Sequence, residues 1–159
     1  MGDGKDQTRP SNSGLMYVGR LDFLPFGLFD DYEASDQTRF KKPRLSLGFG
    51  YAFNDRARNN RGVLGSPPAD GGTTDYHNLT ADLMFKLAGF SLEAAYLWRD
   101  GRRNPGGAVD ERGAPIPVEA ARNGHGWMVQ SAFLIPRTGL EPALRSSGIR
   151  GRGATSMPD

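Results

Sequence analysis

Pro43-Arg-Leu-Ser-Leu-Gly-Phe-Gly-Tyr-Ala-Phe53 decides how this chain is read. Successive side chains of an extended strand point to opposite faces. Leu45, Leu47, Phe49, Tyr51 and Phe53 therefore share one face, and Arg44, Ser46, Gly48, Gly50 and Ala52 share the other. One face is apolar and ends in aromatics. The other is small or polar.

The same alternation recurs along the chain and predicts six strands. The first spans about Leu15 to Leu24, with Tyr17, Gly19, Leu21 and Phe23 opposing Arg20 and Asp22, and Pro25-Phe26-Gly27 ends it. The third runs from about His77 to Leu87, with Asp82 and Lys86 on its polar side, and the fourth from Phe90 to Arg99. The fifth is expected from Gly126 to Ile135. The sixth is a weaker pattern around Leu140 and Leu144 against Glu141 and Arg145, interrupted by Pro142.

Connections add a second regularity. Ala88-Gly89 joins strands three and four as a tight hairpin, and Pro136-Arg-Thr-Gly139 joins five and six. Long polar segments, Asn54 to Asp75 and Asp100 to His125, join two to three and four to five. In an up-and-down meander, both long loops fall at one end and both tight turns at the other. The Phe26 to Lys42 connection falls at the tight-turn end and is longer than that scheme predicts.

Composition narrows the classes. Hydrophobic residues make up 37% of the chain, and glycine reaches 22 of 159. Short strands with polar loops fit; a helical bundle does not. No apolar run approaches the roughly 18 residues of a membrane helix. The net charge of +2 is too small to call for a nucleic-acid partner, and the absence of cysteine excludes disulfides and thiolate metal sites. His77 and His125 border the long loops and read as solvated residues, so no metal is expected. Asp82 and Glu93 face each other across the hairpin, but with Lys86 on the same face they read as a charge network rather than an acid/base pair. No nucleophile triad or nucleotide fingerprint is present, so no enzyme and no cofactor are predicted.

The aromatics sort by height on the apolar face. Tyr17, Tyr51, Phe53, Tyr96, Trp98 and Trp127 fall near the long-loop end; Phe23, Phe26 and Phe90 fall near the tight-turn end. Two aromatic bands with Leu, Ala and Val between them match the two interfaces of an outer-membrane barrel. The polar face would then line a wet lumen, with Arg20, Asp22, Arg44, Asp82, Lys86, Glu93, Arg99, Glu141 and Arg145 as pore-lining candidates. The competing expectation is a soluble antiparallel β-barrel or sandwich with Leu47, Phe49 and Leu83 buried around an apolar ligand.

Five segments in order and spacing resemble the phosphate-selective porins of Gram-negative outer membranes, the O and P porin group. They are Gly19-Arg-Leu-Asp-Phe-Leu-Pro-Phe-Gly27, Lys42 to Phe53, Ala81-Asp-Leu-Met-Phe-Lys-Leu-Ala-Gly-Phe-Ser-Leu-Glu93, Gly126-Trp-Met-Val-Gln130 and Leu140-Glu-Pro-Ala-Leu-Arg145. The resemblance implies a barrel of about sixteen strands in the outer membrane, usually a homotrimer in contact with lipid and lipopolysaccharide, through which small phosphate-like anions diffuse. Six strands fall short of the roughly eight that close a membrane barrel. No secretory signal opens the chain, and no terminal aromatic strand closes it. The expectation is an all-β antiparallel meander forming an open, incomplete part of a transmembrane β-barrel, as an internal fragment of a longer parent. Residues 1–13 are expected as a disordered leader, 14–149 as partial barrel and 150–159 as a disordered tail.

Overall fold

The computed structural model describes residues 14–28 and 32–152. Its architecture is one six-stranded antiparallel sheet in sequence order, a meander with no crossover. The strands are β1 (Met16–Phe23), β2 (Arg44–Ala57), β3 (Thr73–Leu87), β4 (Phe90–Asn104), β5 (Asn123–Phe133) and β6 (Ala143–Arg152). The sheet is open: β1 pairs only with β2, and β6 only with β5, among the described residues. The expected disordered leader lies outside the described residues.

Register confirms which residues share a face. Arg20 lies opposite Gly50, Gly48 opposite Asp82, Asp82 opposite Ala95, and Gln130 opposite both Glu93 and Arg145. On the other face Leu21, Phe49, Ala81, Tyr96 and Trp127 form one continuous row.

Burial runs opposite to that of a water-soluble sheet. Ser46, Asn54, Thr74, Lys86 and Ser91 on the polar face are buried, whereas Phe49 is 56% and Tyr51 46% exposed on the apolar face. Only Ala57, Tyr76, Ala121 and Ala132 count as buried hydrophobics among the described residues. Chain segments fold over the polar side and leave the apolar side bare.

Five strands differ in their bounds from expectation. The central hairpin arms continue past the alternating segments, so β3 starts at Thr73 rather than His77 and β4 reaches Asn104 rather than Arg99. Most of these extra residues are polar; they continue the backbone ladder, and Thr74 and Tyr76 among them are buried on the polar side. A β-bulge at Asp55-Arg56, opposite Asp75, carries β2 on to Ala57 and rotates that residue onto the polar side. The fifth strand starts earlier and ends at Phe133, two residues before Ile135. The sixth is displaced: Leu140, Glu141 and Pro142 precede it, and it continues through Arg150-Gly151-Arg152, which the sequence assigns to a tail.

The Phe26 to Lys42 connection acts as a strap across the tight-turn end. Lys86 Nζ donates to Ser35 O at 2.8 Å, and Arg39 Nη1 reaches Leu134 O at 2.5 Å. Asp36 is wholly buried and accepts from Phe40 N at 3.2 Å and Gly89 N at 2.6 Å. The turn it caps has positive φ at both central residues, Ala88 (54°) and Gly89 (95°), the twist that two-residue hairpins favour. Glycine tolerates this conformation, but a Cβ is strained there by about 1–2 kcal/mol. Ala88→Gly keeps the backbone N–H bond to Phe40 O and removes that strain. It should stabilise the chain by about 1 kcal/mol, read as a raised urea midpoint with unchanged slope.

Candidate functional site

The polar face holds three distinct groups of side chains. At the β1 side, Arg20 bridges two carboxylates: Nη1 lies 2.8 Å from Asp82 Oδ2, and Nη2 lies 2.7 Å from Asp22 Oδ1. The bridge passes over Gly48 of β2, where an added Cβ would collide with the Arg20 guanidinium and the Asp82 carboxylate. Gly48 thus has a steric reason: it leaves room for charged side chains to meet across an intervening strand. All three charged side chains keep more than a third of their surface in solvent.

A second group lies under the strap. Arg44 Nη1 donates to Phe26 O at 3.3 Å and Leu28 O at 3.1 Å, with its guanidinium 5.3 Å from the Phe40 ring centre. Lys86 is fully buried against Ser35. Both are polar-face residues, as the alternation requires, but they hold the connection down rather than face an open channel. Glu141 precedes β6 in the last connection and is not a strand residue; its Oε1 is buried without a hydrogen-bond partner.

The third group occupies an open concavity of about 1230 Å³ over β3 to β6. Arg99, Arg122 and Arg145 line it together with Thr80, Met128 and Ser147, and its lining contains no carboxylate. Arg99 is fixed by three contacts: Nε to Asn78 Oδ1 at 2.7 Å, Nη1 to Arg61 O at 3.2 Å, and the Tyr76 ring at 4.8 Å. Arg145 has no side-chain partner among the described residues and is exposed on β6. Glu93 sits on the same face, between Met84 and Gln130 in register.

Above this concavity the two long connections are stitched together. Tyr76, buried on the polar face, donates its hydroxyl to Asn60 O at 2.7 Å and packs with Ala57 and Ala121. Asp70 is 1% exposed; its Oδ1 accepts from Arg103 Nη2 at 2.5 Å and its Oδ2 from Gly106 N at 3.2 Å. Burial pushes the Asp70 carboxyl up, but the Gly106 and Gly72 N–H groups and the Arg103 charge outweigh it, and it titrates below the ordinary carboxylate range. Neither Tyr76 nor Asp70 stands out in the sequence. Both lie where the alternation fades into loop composition.

On the apolar face, the upper aromatics contact one another and the two histidines across three neighbouring rows. Tyr17 stacks on Phe53 at 6.3 Å, and Phe53 on His77 at 4.7 Å. Tyr51 Oη and His77 Nδ1 are 2.7 Å apart, and Tyr96 stacks on His125 at 5.9 Å. His77 and His125 thus join the aromatic rows. Trp98 lies 5.8 Å from the Arg152 guanidinium, which is also ion-paired with Asp100. Trp127 is 40% exposed, and its ring lies over Gly148. At the opposite end, Phe90 packs 6.3 Å from Phe85, Phe23 closes β1, and Phe26 lies in the turn beyond it.

Among the described residues no cluster of His, Asp or Glu is placed to hold a metal ion, and no helix is long and apolar enough to cross a membrane. Comparison with known proteins gives no match: no family model, no curated protein and no solved structure is significantly similar to this chain.

Proposed function

We propose that this chain is part of the wall of an outer-membrane porin, with its apolar face toward lipid and its polar face toward a water-filled lumen that passes small anions. The observation that carries the reading is the inverted burial. Ser46, Asn54, Thr74, Lys86 and Ser91 of the polar face are buried, while Leu21, Phe49, Tyr51, Tyr96 and Val129 are exposed on the other. Leaving that much apolar surface in water is unfavourable by about 25 cal/mol per Å², and a contiguous patch of this kind marks a lipid or protein contact.

The lumen chemistry follows from the concavity. Guanidinium groups are permanently charged and match phosphate-like oxyanions in planar, bidentate geometry. Arg99, Arg122 and Arg145 would raise the local anion concentration, while an open, wet surface lets solute leave again. In the Arg20, Asp22 and Asp82 cluster the one guanidinium is held by two carboxylates, so it adds no free cation to that field.

Both tryptophans lie on the apolar face, which gives the orientation a direct test. In vesicles with brominated acyl chains, the fluorescence of Trp98 and Trp127 should be strongly quenched. The same barrels in planar bilayers should conduct, with a reversal potential favouring anions, and Arg99→Ala with Arg145→Ala should reduce that preference. Unquenched tryptophans in a water-soluble monomer would reject the orientation. Quenched tryptophans without conductance would reject the channel.

A further inference from the structure

We infer that the two open edges of the sheet are complementary to each other, so that β6 of one copy of this chain pairs with β1 of the next. The first observation is direction. With six antiparallel strands, β6 and β1 run oppositely, so adding β1 of a second copy beside β6 continues both the alternation and the sidedness of the faces.

The second observation is a register in which the edges match. Set Arg145 opposite Asp22, both on the polar face. Ile149 then falls opposite Val18, Leu144 opposite Phe23, and Arg150 opposite Tyr17. Ile149 is 94% and Val18 68% exposed, apolar side chains on the polar face at opposite edges of the sheet. A single register gives each a partner. On the apolar face, Leu144 and Phe23 are both exposed and would bury each other. Arg150, exposed and without a side-chain partner among the described residues, would meet the exposed Tyr17 ring.

Charge points the same way. The β1 edge carries one guanidinium against two carboxylates, Arg20 against Asp22 and Asp82, leaving a net negative charge. The β6 edge presents Arg145 with no partner. β6 carries Arg145, Arg150 and Arg152 and no carboxylate, so two β6 edges would oppose only like charges, whereas β6 beside β1 sets Arg145 opposite Asp22. The occupant fitted by these features is a second copy of the chain, joined head to tail by main-chain hydrogen bonds. The pairing stands whether the apolar face meets lipid or not.

The chain contains no cysteine, so thiols can be placed without background. A size-tagged Val18→Cys variant is mixed with untagged Ile149→Cys and oxidised with diamide, in micelles and in buffer. Directly opposed strand residues approach within disulfide reach. The expected product is the mixed disulfide, at least tenfold over either same-site dimer. Arg145→Glu in the Ile149→Cys chain should cut its yield about tenfold, and adding Asp22→Arg to the Val18→Cys chain should restore it. That rescue separates a lost seam from a failed fold. Statistical yields of all three dimers, or no disulfide at all, would overturn the proposal.

Discussion

Phe49→Arg should cost the lipid-embedded protein about 2–4 kcal/mol, the price of an arginine near the bilayer midplane of a barrel wall. At about 1.4 kcal/mol per tenfold, this shifts the folding equilibrium from roughly thirtyfold to several hundredfold. Phe49 lies mid-strand, opposite Leu21 and Ala81. The comparison that gives the number meaning is Thr80→Arg. Thr80 is opposite Gly50 and Leu97 on the polar face, and an arginine there has room and water. Its cost should be within about 0.5 kcal/mol of zero. Urea titrations of both variants in lipid vesicles give the two values. In a water-soluble sheet the difference would vanish, because a 56% exposed phenylalanine tolerates a charge.

Asp70→Asn should be the second large effect, about 3 kcal/mol, confined to the long-loop end. The carboxylate is buried, and the Arg103 side chain it pairs with is only 10% exposed. An amide keeps one acceptor oxygen but leaves the guanidinium charge uncompensated. The connections at 58–72 and 105–122 should then separate, read as faster amide exchange at Gly106 and Ala108, whose N–H groups bond to Asp70 Oδ2 and Asp70 O. The effect carries a pH signature. The Asp70 carboxyl is held below its ordinary value in the folded chain. Its stabilisation is therefore fully present above the unfolded pKa of about 3.9 and is lost as pH falls through the depressed folded value. Wild-type protection at these amides should collapse only in strong acid. The Asp70→Asn protein should start low and stay flat across that range.

The meander and its two faces were legible because apolar and polar side chains alternate through β2, β3 and β4. What escaped the sequence lies where pairing is imposed by a neighbour rather than by a buried face. β6 carries Ser146, Gly148 and Arg150 on the side where other strands carry Leu and Phe, so no alternation marks it; it is a strand because β5 offers a ladder. The bulge at Asp55-Arg56 is equally hidden, since Arg56 takes a positive φ and its N–H bonds to Asp75, a residue across the hairpin. The polar-face residues were placed by parity, but parity says nothing of what lies above them. Lys86 and Arg44 are covered by a connection whose course the alternation does not encode. The link between Asp70 and Arg103 joins residues 33 positions apart through unpatterned loops.

The strap implies an order of events in folding. Every strand pair in the meander joins chain neighbours, so the sheet can grow one hairpin at a time with modest loop-closure entropy. Asp36 is different: it caps the Gly89 amide 53 residues away, and Arg39 reaches Leu134 at a separation of 95. Neither partner exists in position until the β3–β4 turn has closed and β5 has docked. The segment that follows β1 in the chain is therefore among the last to settle. Until then the buried side of Lys86 stays open to water, and the nascent sheet keeps its polar face wet while its neighbours assemble.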